Sequence, residues 1–241
     1  MKPEIILPYQ PGHQNKDLAK ANARLTQGQT YKDLSTIIVT PTRGGRSLCP
    51  RFASACYGLM RPMNQKVYGP IFMSGMEVGQ AFNAVIEMAQ ANPELNKFKY
   101  LLTLEDDNLP PPDGLLKLYE GIKEYDAVGA LYWTKGEGGQ PMIYGDPFIQ
   151  PLNFIPQQPL PDQLQRCNGL GMGFTLFRMS VFKRLEKPWF VTKQEYIPQQ
   201  GVACYTQDLY CFQNMAKAGM KVACDTRVRV GHLDVENDQV W

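Results

Sequence analysis

Three acids in succession, Glu105-Asp106-Asp107, stand directly after the apolar run Tyr100-Leu101-Leu102-Thr103-Leu104. Carboxylates gathered at one strand end repel one another, and a cation is the natural way to hold them together. All-oxygen ligands suit a hard divalent ion, which commonly binds substrate phosphates as well. The plainer reading is a solvated turn that ends a strand and leads into the next helix. Asp208 follows Thr206, a residue type that caps helices, so it falls in a first helical turn where the dipole favours its ionised form. Such a carboxylate can take a proton from a hydroxyl; it can also do no more than help a helix start. His232, one of two histidines, closes the strand-like run before Gly231-His232. It is either a structural imidazole or a ligand, and a nitrogen among oxygen ligands favours manganese over magnesium.

These residues need elements to hold them. Ser35-Thr36-Ile37-Ile38-Val39-Thr40 reads as a buried strand stopped by Pro41 and Gly44-Gly45. Val78, Phe82, Val85 and Ala89 recur at helical spacing within 76–91, and Asn92-Pro93 ends the run. The strand 100–104 follows, then a helix with Asp113 as N-cap and Leu115, Leu118, Tyr119 and Ile122 as its apolar stripe. Ala127–Trp133 is the next strand. Strand-helix alternation of this kind predicts an α/β domain with a mostly parallel central sheet, and chemistry at the carboxyl ends of its strands. Beyond it, 134–165 and 186–205 read as long loops or short edge strands, 174–177 as a strand, 208–218 as a helix closed by Gly219, and 221–230 as a last strand. Residues 1–34 read as an N-terminal extension packed on a domain spanning 35–241.

The gross composition narrows the field. With 241 residues, 44% hydrophobic and 20% charged, the chain is an ordinary globular domain. A net charge of +2 gives no one-sided basic surface for a nucleic-acid backbone. No apolar run is long enough to span a bilayer, and the one at the N-terminus is too short for a secretory signal. The six cysteines form no C-x-x-C pair. Free thiols and a cytoplasmic location are the expectation.

Leu101-Leu102-Thr103-Leu104-Glu105-Asp106-Asp107-Asn108 resembles the D-x-D segment of GT-A glycosyltransferases, with Glu105 and Asp107 in the two D positions. The likeness continues in order along the chain. Ile37 to Gly44 is similar to the first strand and nucleotide loop of family 2 and its relatives. Gly169-Leu170-Gly171-Met172-Gly173-Phe174 with Arg178 resembles their mid-domain glycine segment. Thr206-Gln207-Asp208 resembles their E-D motif, and Gly231-His232 a late metal-binding histidine. Two departures stand out: Gln207 replaces the first acid of E-D, and Ala81-Phe82-Asn83 lies where relatives often carry Arg-Asn.

The resemblance implies a single GT-A (Rossmann-like) domain, with a nucleotide-binding half at 35–133 and an acceptor and catalytic half at 134–241. Its implied reaction moves a sugar from a nucleoside-diphosphate sugar to an acceptor hydroxyl on a glycan, a small molecule or a modified biopolymer. Thr40, Pro41, Thr42 and Arg43 would hold the nucleotide, Glu105 and Asp106 the ribose and sugar, and Gly171 would admit the donor. Asp107, Glu105 and His232 would bind Mn²⁺ (or Mg²⁺). Asp208 would be the base of an inverting reaction. A retaining transferase using the same metal site, a sugar nucleotidyltransferase and a non-catalytic carbohydrate-binding protein are the alternatives. Trp133, Trp189, Phe190 and Tyr196 could stack on sugars, although packing is the simpler expectation for each.

Overall fold

The β-branched run Thr36-Ile37-Ile38-Val39 forms the heart of β1 (Thr36–Thr42), and its first six residues are buried. Only a strand covered on both faces can be apolar throughout. The structure, a computed structural model, describes residues 33–42, 48–198 and 201–241. Most of the expected N-terminal extension, together with Arg43, therefore lies outside the described residues.

After β1 come helix α1 (Pro50–Gly58), β2 (Val67–Ser74), α2 (Val78–Ala91), β3 (Tyr100–Leu104), the short β4 (Asn108–Leu109), α3 (Gly114–Gly121) and β5 (Ala127–Leu131). The second half holds β6 (Ile143–Tyr144), β7 (Leu164–Cys167), β8 (Gly169–Leu170), β9 (Phe174–Arg178), the short α4 (Val181–Arg184), β10 (Lys193–Ile197) and β11 (Gly201–Tyr205). It closes with α5 (Gln207–Lys217), β12 (Val222–Arg229), β13 (Gly231–Asp234) and β14 (Gln239–Val240). Seven strands make the main sheet in the order β2-β1-β3-β9-β5-β12-β7. β1 is parallel to β2 and β3, and β5 is parallel to β12, so the sheet is mostly parallel. Two strands run the other way: β7 at one edge, and β9 in the centre between β3 and β5.

Alternate residues feed two cores, as the two-residue period of a strand requires. Ile37, Val39 and Leu101 pack under α2 and α5 with Phe82, Val85, Phe212 and Met215. Ile38, Leu102 and Leu104 pack under α1 and α3 with Phe52, Leu115, Leu118 and Tyr119. Burying a side chain of this size contributes about 1.5–3 kcal/mol. Gly219 takes φ +70 after α5, the left-handed turn that ends a helix without a Cβ penalty.

Several expectations change in detail. Asp113 stands at the start of α3 but makes no capping bond; its carboxylate instead pairs with Lys117 one turn on, at 2.9 Å, and both side chains are buried. The segment 186–205 is not wholly irregular, since β10 and β11 form an antiparallel hairpin. α1 and β2 carry weak sequence signals because β2 is a half-exposed edge strand interrupted by Gly69-Pro70. Trp189 and Phe190 are core residues, as expected of packing aromatics, whereas Tyr196 is exposed. Cys49, Cys56, Cys167, Cys211 and Cys224 are free thiols. Among the described residues no helix is long and apolar enough to cross a membrane.

Candidate active site

The acidic turn leaves the carboxyl end of β3 and is pinned from two sides. The Glu105 amide donates to the Gly173 carbonyl (3.1 Å) at the entrance of β9, and the Leu233 amide of β13 donates to the Asp107 carbonyl (2.7 Å). β4 and β13 pair so that Asn108 faces His232. Three chain segments far apart in sequence therefore bring the turn and the late histidine together at one edge of the sheet. Thr40, Pro41 and Thr42 end β1 at the same edge: Val39 is in register with Thr103, and the next residues run level with the turn. The Thr40 hydroxyl is buried and has no hydrogen-bond partner among the described residues.

His232 is held by its own backbone and by a carbonyl. Its Nδ1 lies 2.7 Å from the Trp133 oxygen, which can only accept, so Nδ1 carries the proton. That assignment turns Nε2 toward Asp107, 3.6 Å from Oδ2. Tyr132 packs edge-on against the ring at 5.4 Å and keeps it upright. Fixing one imidazole nitrogen on a carbonyl so that the other is presented outward is the usual support of a metal-binding histidine.

Asp107 Oδ1 accepts from the Asn108 side-chain amide (3.0 Å), while Oδ2 takes the Lys135 ammonium at 2.6 Å. Burial alone would push the Asp107 carboxyl up. A hydrogen bond from the His232 ring, made when Nε2 also carries a proton, and the Lys135 ammonium outweigh it and hold the group down at about 2. Glu105 goes the other way: burial first, then the charges of Asp107, Asp208 and Asp106, push it up to about 8. Two carboxyls two residues apart thus hold opposite protonation preferences, which is a signature of functional sites.

Asp208 occupies the first turn of α5, 7% exposed. Its Oδ1 accepts the Thr206 hydroxyl and the Leu209 amide. Thr206 therefore serves the Asp208 carboxylate and makes no side-chain cap of its own. Burial raises the Asp208 pKa despite these bonds, so the environment holds the group closer to neutrality than the dipole argument alone implies. Its charge reaches Glu105, Tyr132 and Tyr144, which places α5 over the same acidic edge.

The glycines have packing reasons. A Cβ on Gly171 would lie 2.0 Å from the Tyr132 hydroxyl, and one on Gly173 would lie 2.4 Å from the Asn108 side chain. Both glycines let core side chains that frame the site approach the backbone. Asn83, in the place of an expected Arg-Asn pair, ties Trp189 and Phe190 to α2 through its amide oxygen (3.0 and 3.2 Å) and its amide nitrogen (2.7 Å). Gln207 meets Thr192, whose hydroxyl also donates to Glu77 at 2.8 Å, so an acid stands near that position from another helix.

Lys135 escaped the sequence reading. It lies 28 residues from Asp107, and its one local signal is the loop around it, Thr134-Lys135-Gly136-Glu137-Gly138-Gly139. At the opposite edge of the sheet, Tyr100 and Arg178 line a cleft of about 400 Å³. Arg178 is committed there to the carbonyls of Tyr125, Ile122 and Lys123, which close the end of α3.

Among the described residues no three His, Cys, Asp or Glu side chains are grouped closely enough to hold a metal ion by themselves. Ions that bind phosphates are commonly held by one or two protein ligands with water and substrate completing the shell. Asp107 and His232, converging through Oδ2 and Nε2, fit that pattern.

No protein-family model and no curated protein sequence matches the chain. Among solved structures it is similar to A197 from STIV, at 16% identity and a TM-score of 0.58 over 86% of this chain and 92% of that one. It is also similar to GalNAc-T7, solved with UDP, GalNAc and Mn²⁺, at 12% identity and a TM-score of 0.53 over 83% of this chain. The chain spans 44% of the length of that second neighbour. Likeness at such identities concerns the fold. With its mostly parallel sheet flanked by helices, the chain is an α/β domain of GT-A-like fold.

Proposed function

We propose that the protein is a metal-dependent glycosyltransferase that moves a sugar from a nucleoside-diphosphate sugar to an acceptor hydroxyl with inversion. The observation that carries this reading is the convergence of Asp107 Oδ2 and His232 Nε2, 3.6 Å apart, at the carboxyl edge of the sheet, where the charge of the buried Asp208 reaches the neighbouring Glu105. The GT-A-like fold and a neighbour solved with UDP, GalNAc and Mn²⁺ support it.

In this reading residues 35–133 are the nucleotide half and 134–241 the acceptor half. Thr40, Pro41, Thr42 and Arg43 receive the base and ribose. Glu105 and Asp106 orient ribose and sugar, and Gly171 keeps Tyr132 close behind them. Asp107 and His232 would hold Mn²⁺. When bound, the ion supplies Lewis-acid neutralisation of the departing diphosphate. Asp208 takes the proton of the acceptor hydroxyl as its oxygen attacks the anomeric carbon from the side opposite the breaking bond to the diphosphate. A carboxyl raised by burial is better matched to that task near neutral pH than an ordinary aspartate.

Thermal-shift and calorimetric titrations with UDP, GDP, CMP and dTDP sugars, each with Mn²⁺ and with EDTA, test the proposal. Binding of one nucleotide class that requires Mn²⁺ is the expected outcome. Equal affinity in EDTA would remove the metal from the reading.

A further inference from the structure

Two groups compete for one oxygen. Asp107 Oδ1 is engaged by Asn108, so Oδ2 is the oxygen left to face the site, and it is the atom that the Lys135 ammonium contacts at 2.6 Å and that His232 Nε2 approaches at 3.6 Å. An ion bridging Oδ2 and Nε2 would need the space beside the ammonium, and two cations on one carboxylate oxygen repel strongly. From this we infer that Lys135 is a tethered counter-cation: it occupies the divalent-ion position while the site is empty and yields it when a diphosphate arrives. The inference rests on the metal-dependent reading above.

The loop that carries Lys135 is built for such an exchange by the side chain alone. Trp133 bridges to Pro141, the Thr134 amide donates to the Gln140 carbonyl (2.9 Å), and the Gln140 amide donates to the Thr134 hydroxyl (2.9 Å). A Cβ on Gly139 would lie 2.4 Å from the Thr134 carbonyl, and Gly136 and Gly138 take φ +101 and +73. The hairpin backbone is therefore closed and anchored, and Lys135 sits at its mouth with a long unbranched stem and a side chain 32% exposed. Displaced from Asp107, the ammonium remains at the rim of the site. There it is a point-charge donor suited to phosphate oxygens.

Charge exchange of this kind makes metal and diphosphate binding cooperative. The ion binds weakly while it must expel Lys135 into water, and more tightly when a diphosphate receives the ammonium. The coupling is reciprocal.

The test uses the full chain, with Mn²⁺ alone and then Mn²⁺ with inorganic pyrophosphate, followed by calorimetry and by the Mn²⁺ electron paramagnetic resonance signal, corrected for the metal–pyrophosphate complex. Lys135→Met should bind Mn²⁺ alone about 10-fold more tightly than the unmodified chain, within the 5–150-fold range of site–site coupling. Its enhancement by pyrophosphate should shrink. Lys135→Arg keeps the charge and should bind Mn²⁺ as weakly as the unmodified chain. Unchanged or weaker Mn²⁺ binding in Lys135→Met overturns the inference. If in that case the unmodified chain still binds Mn²⁺ and Asp107→Asn abolishes it, the metal reading stands and only the role of Lys135 falls. If neither the unmodified chain nor Lys135→Met binds Mn²⁺ at millimolar concentration, both fall together.

Discussion

Two groups of acids in this molecule are treated in opposite ways. Asp225, within β12, is fully buried and receives Arg227 in a two-pronged grip, Nε to Oδ1 at 2.8 Å and one terminal nitrogen to Oδ2 at 2.7 Å. The other terminal nitrogen of Arg227 reaches Glu120 at 3.0 Å. At the end of β3, Glu105 feels the charges of Asp107, Asp208 and Asp106, and the cation in contact with Asp107 is Lys135, on a long unbranched side chain. The first arrangement is finished: each charge has a geometric partner, and an arginine fork matches a carboxylate better than any mobile cation. In the second, burial first and then the crowding of like charge drive Glu105 up to about 8. The contrast is between a charge pair held by fixed geometry within the sheet and a crowd of acids met by a long lysine side chain at its edge.

The largest effect is expected at Asp208. Asp208→Asn should lower turnover by about 10²–10⁴-fold, the usual loss for a general base. Donor and Mn²⁺ affinity, measured by calorimetry on the same sample, should stay within about twofold of the original by that argument. Wild-type turnover, or a product with retained anomeric configuration, would remove the base and favour a retaining reaction.

On the paired side, Asp225→Asn should destabilise the fold by about 3–5 kcal/mol, because it leaves Arg227 short of its buried partner. Chemical denaturation reads this directly. Metal and nucleotide affinity of the folded fraction should be unaltered, since the pair belongs to the fold.

His232→Ala is expected to weaken Mn²⁺ and donor binding together, by about 10–100-fold, with little change in melting temperature. Loss of stability without loss of affinity would return His232 to a purely structural role.

The last effect is a matter of sign. In the metal-free chain Glu105 titrates near 8 when folded and near 4.5 when unfolded, so folding takes up a proton between those pH values. Stability from this group is present below about pH 4.5 and falls as pH rises toward 8. Glu105→Gln should therefore stabilise the metal-free fold at pH 8 and progressively less toward pH 5, read as the difference in melting temperature between the variant and the unmodified chain. A destabilised Glu105→Gln would mean that the acid is already neutralised, and the contrast with Asp225 would disappear.

Much of this was readable from residues alone, and the exceptions share a cause. β1, β3 and β5 announce themselves as continuous apolar runs because a strand buried on both faces leaves no room for polar residues. The acidic turn, Asp208 and His232 were visible because each sits where an apolar pattern stops. Lys135 was not, because its contact with Asp107 crosses 28 residues and depends on a hairpin whose glycines only report that a turn exists. β2 was obscured by Gly69-Pro70 and by its half-exposed edge position. Gly171 reads as room for the donor, and in the fold it also admits the Tyr132 hydroxyl, as Gly173 admits the Asn108 side chain. Sequence records that a side chain is missing, and only the fold says what fills the gap.

The antiparallel β9 has a consequence for how the protein comes to be. β3 and β5 do not touch as neighbours; they are joined only through residues 174–178, made some seventy and forty residues later respectively. The seam in the middle of the sheet stays open during synthesis until Arg178 has emerged. Neither side of a cut after Trp133 carries a complete set of neighbours for its central strands. Closing contacts of that separation is slow, because a long loop must be ordered before any reward arrives. Residues 35–133 and 134–241 therefore share one sheet, and the acidic turn after β3 is not framed until β9 has joined it.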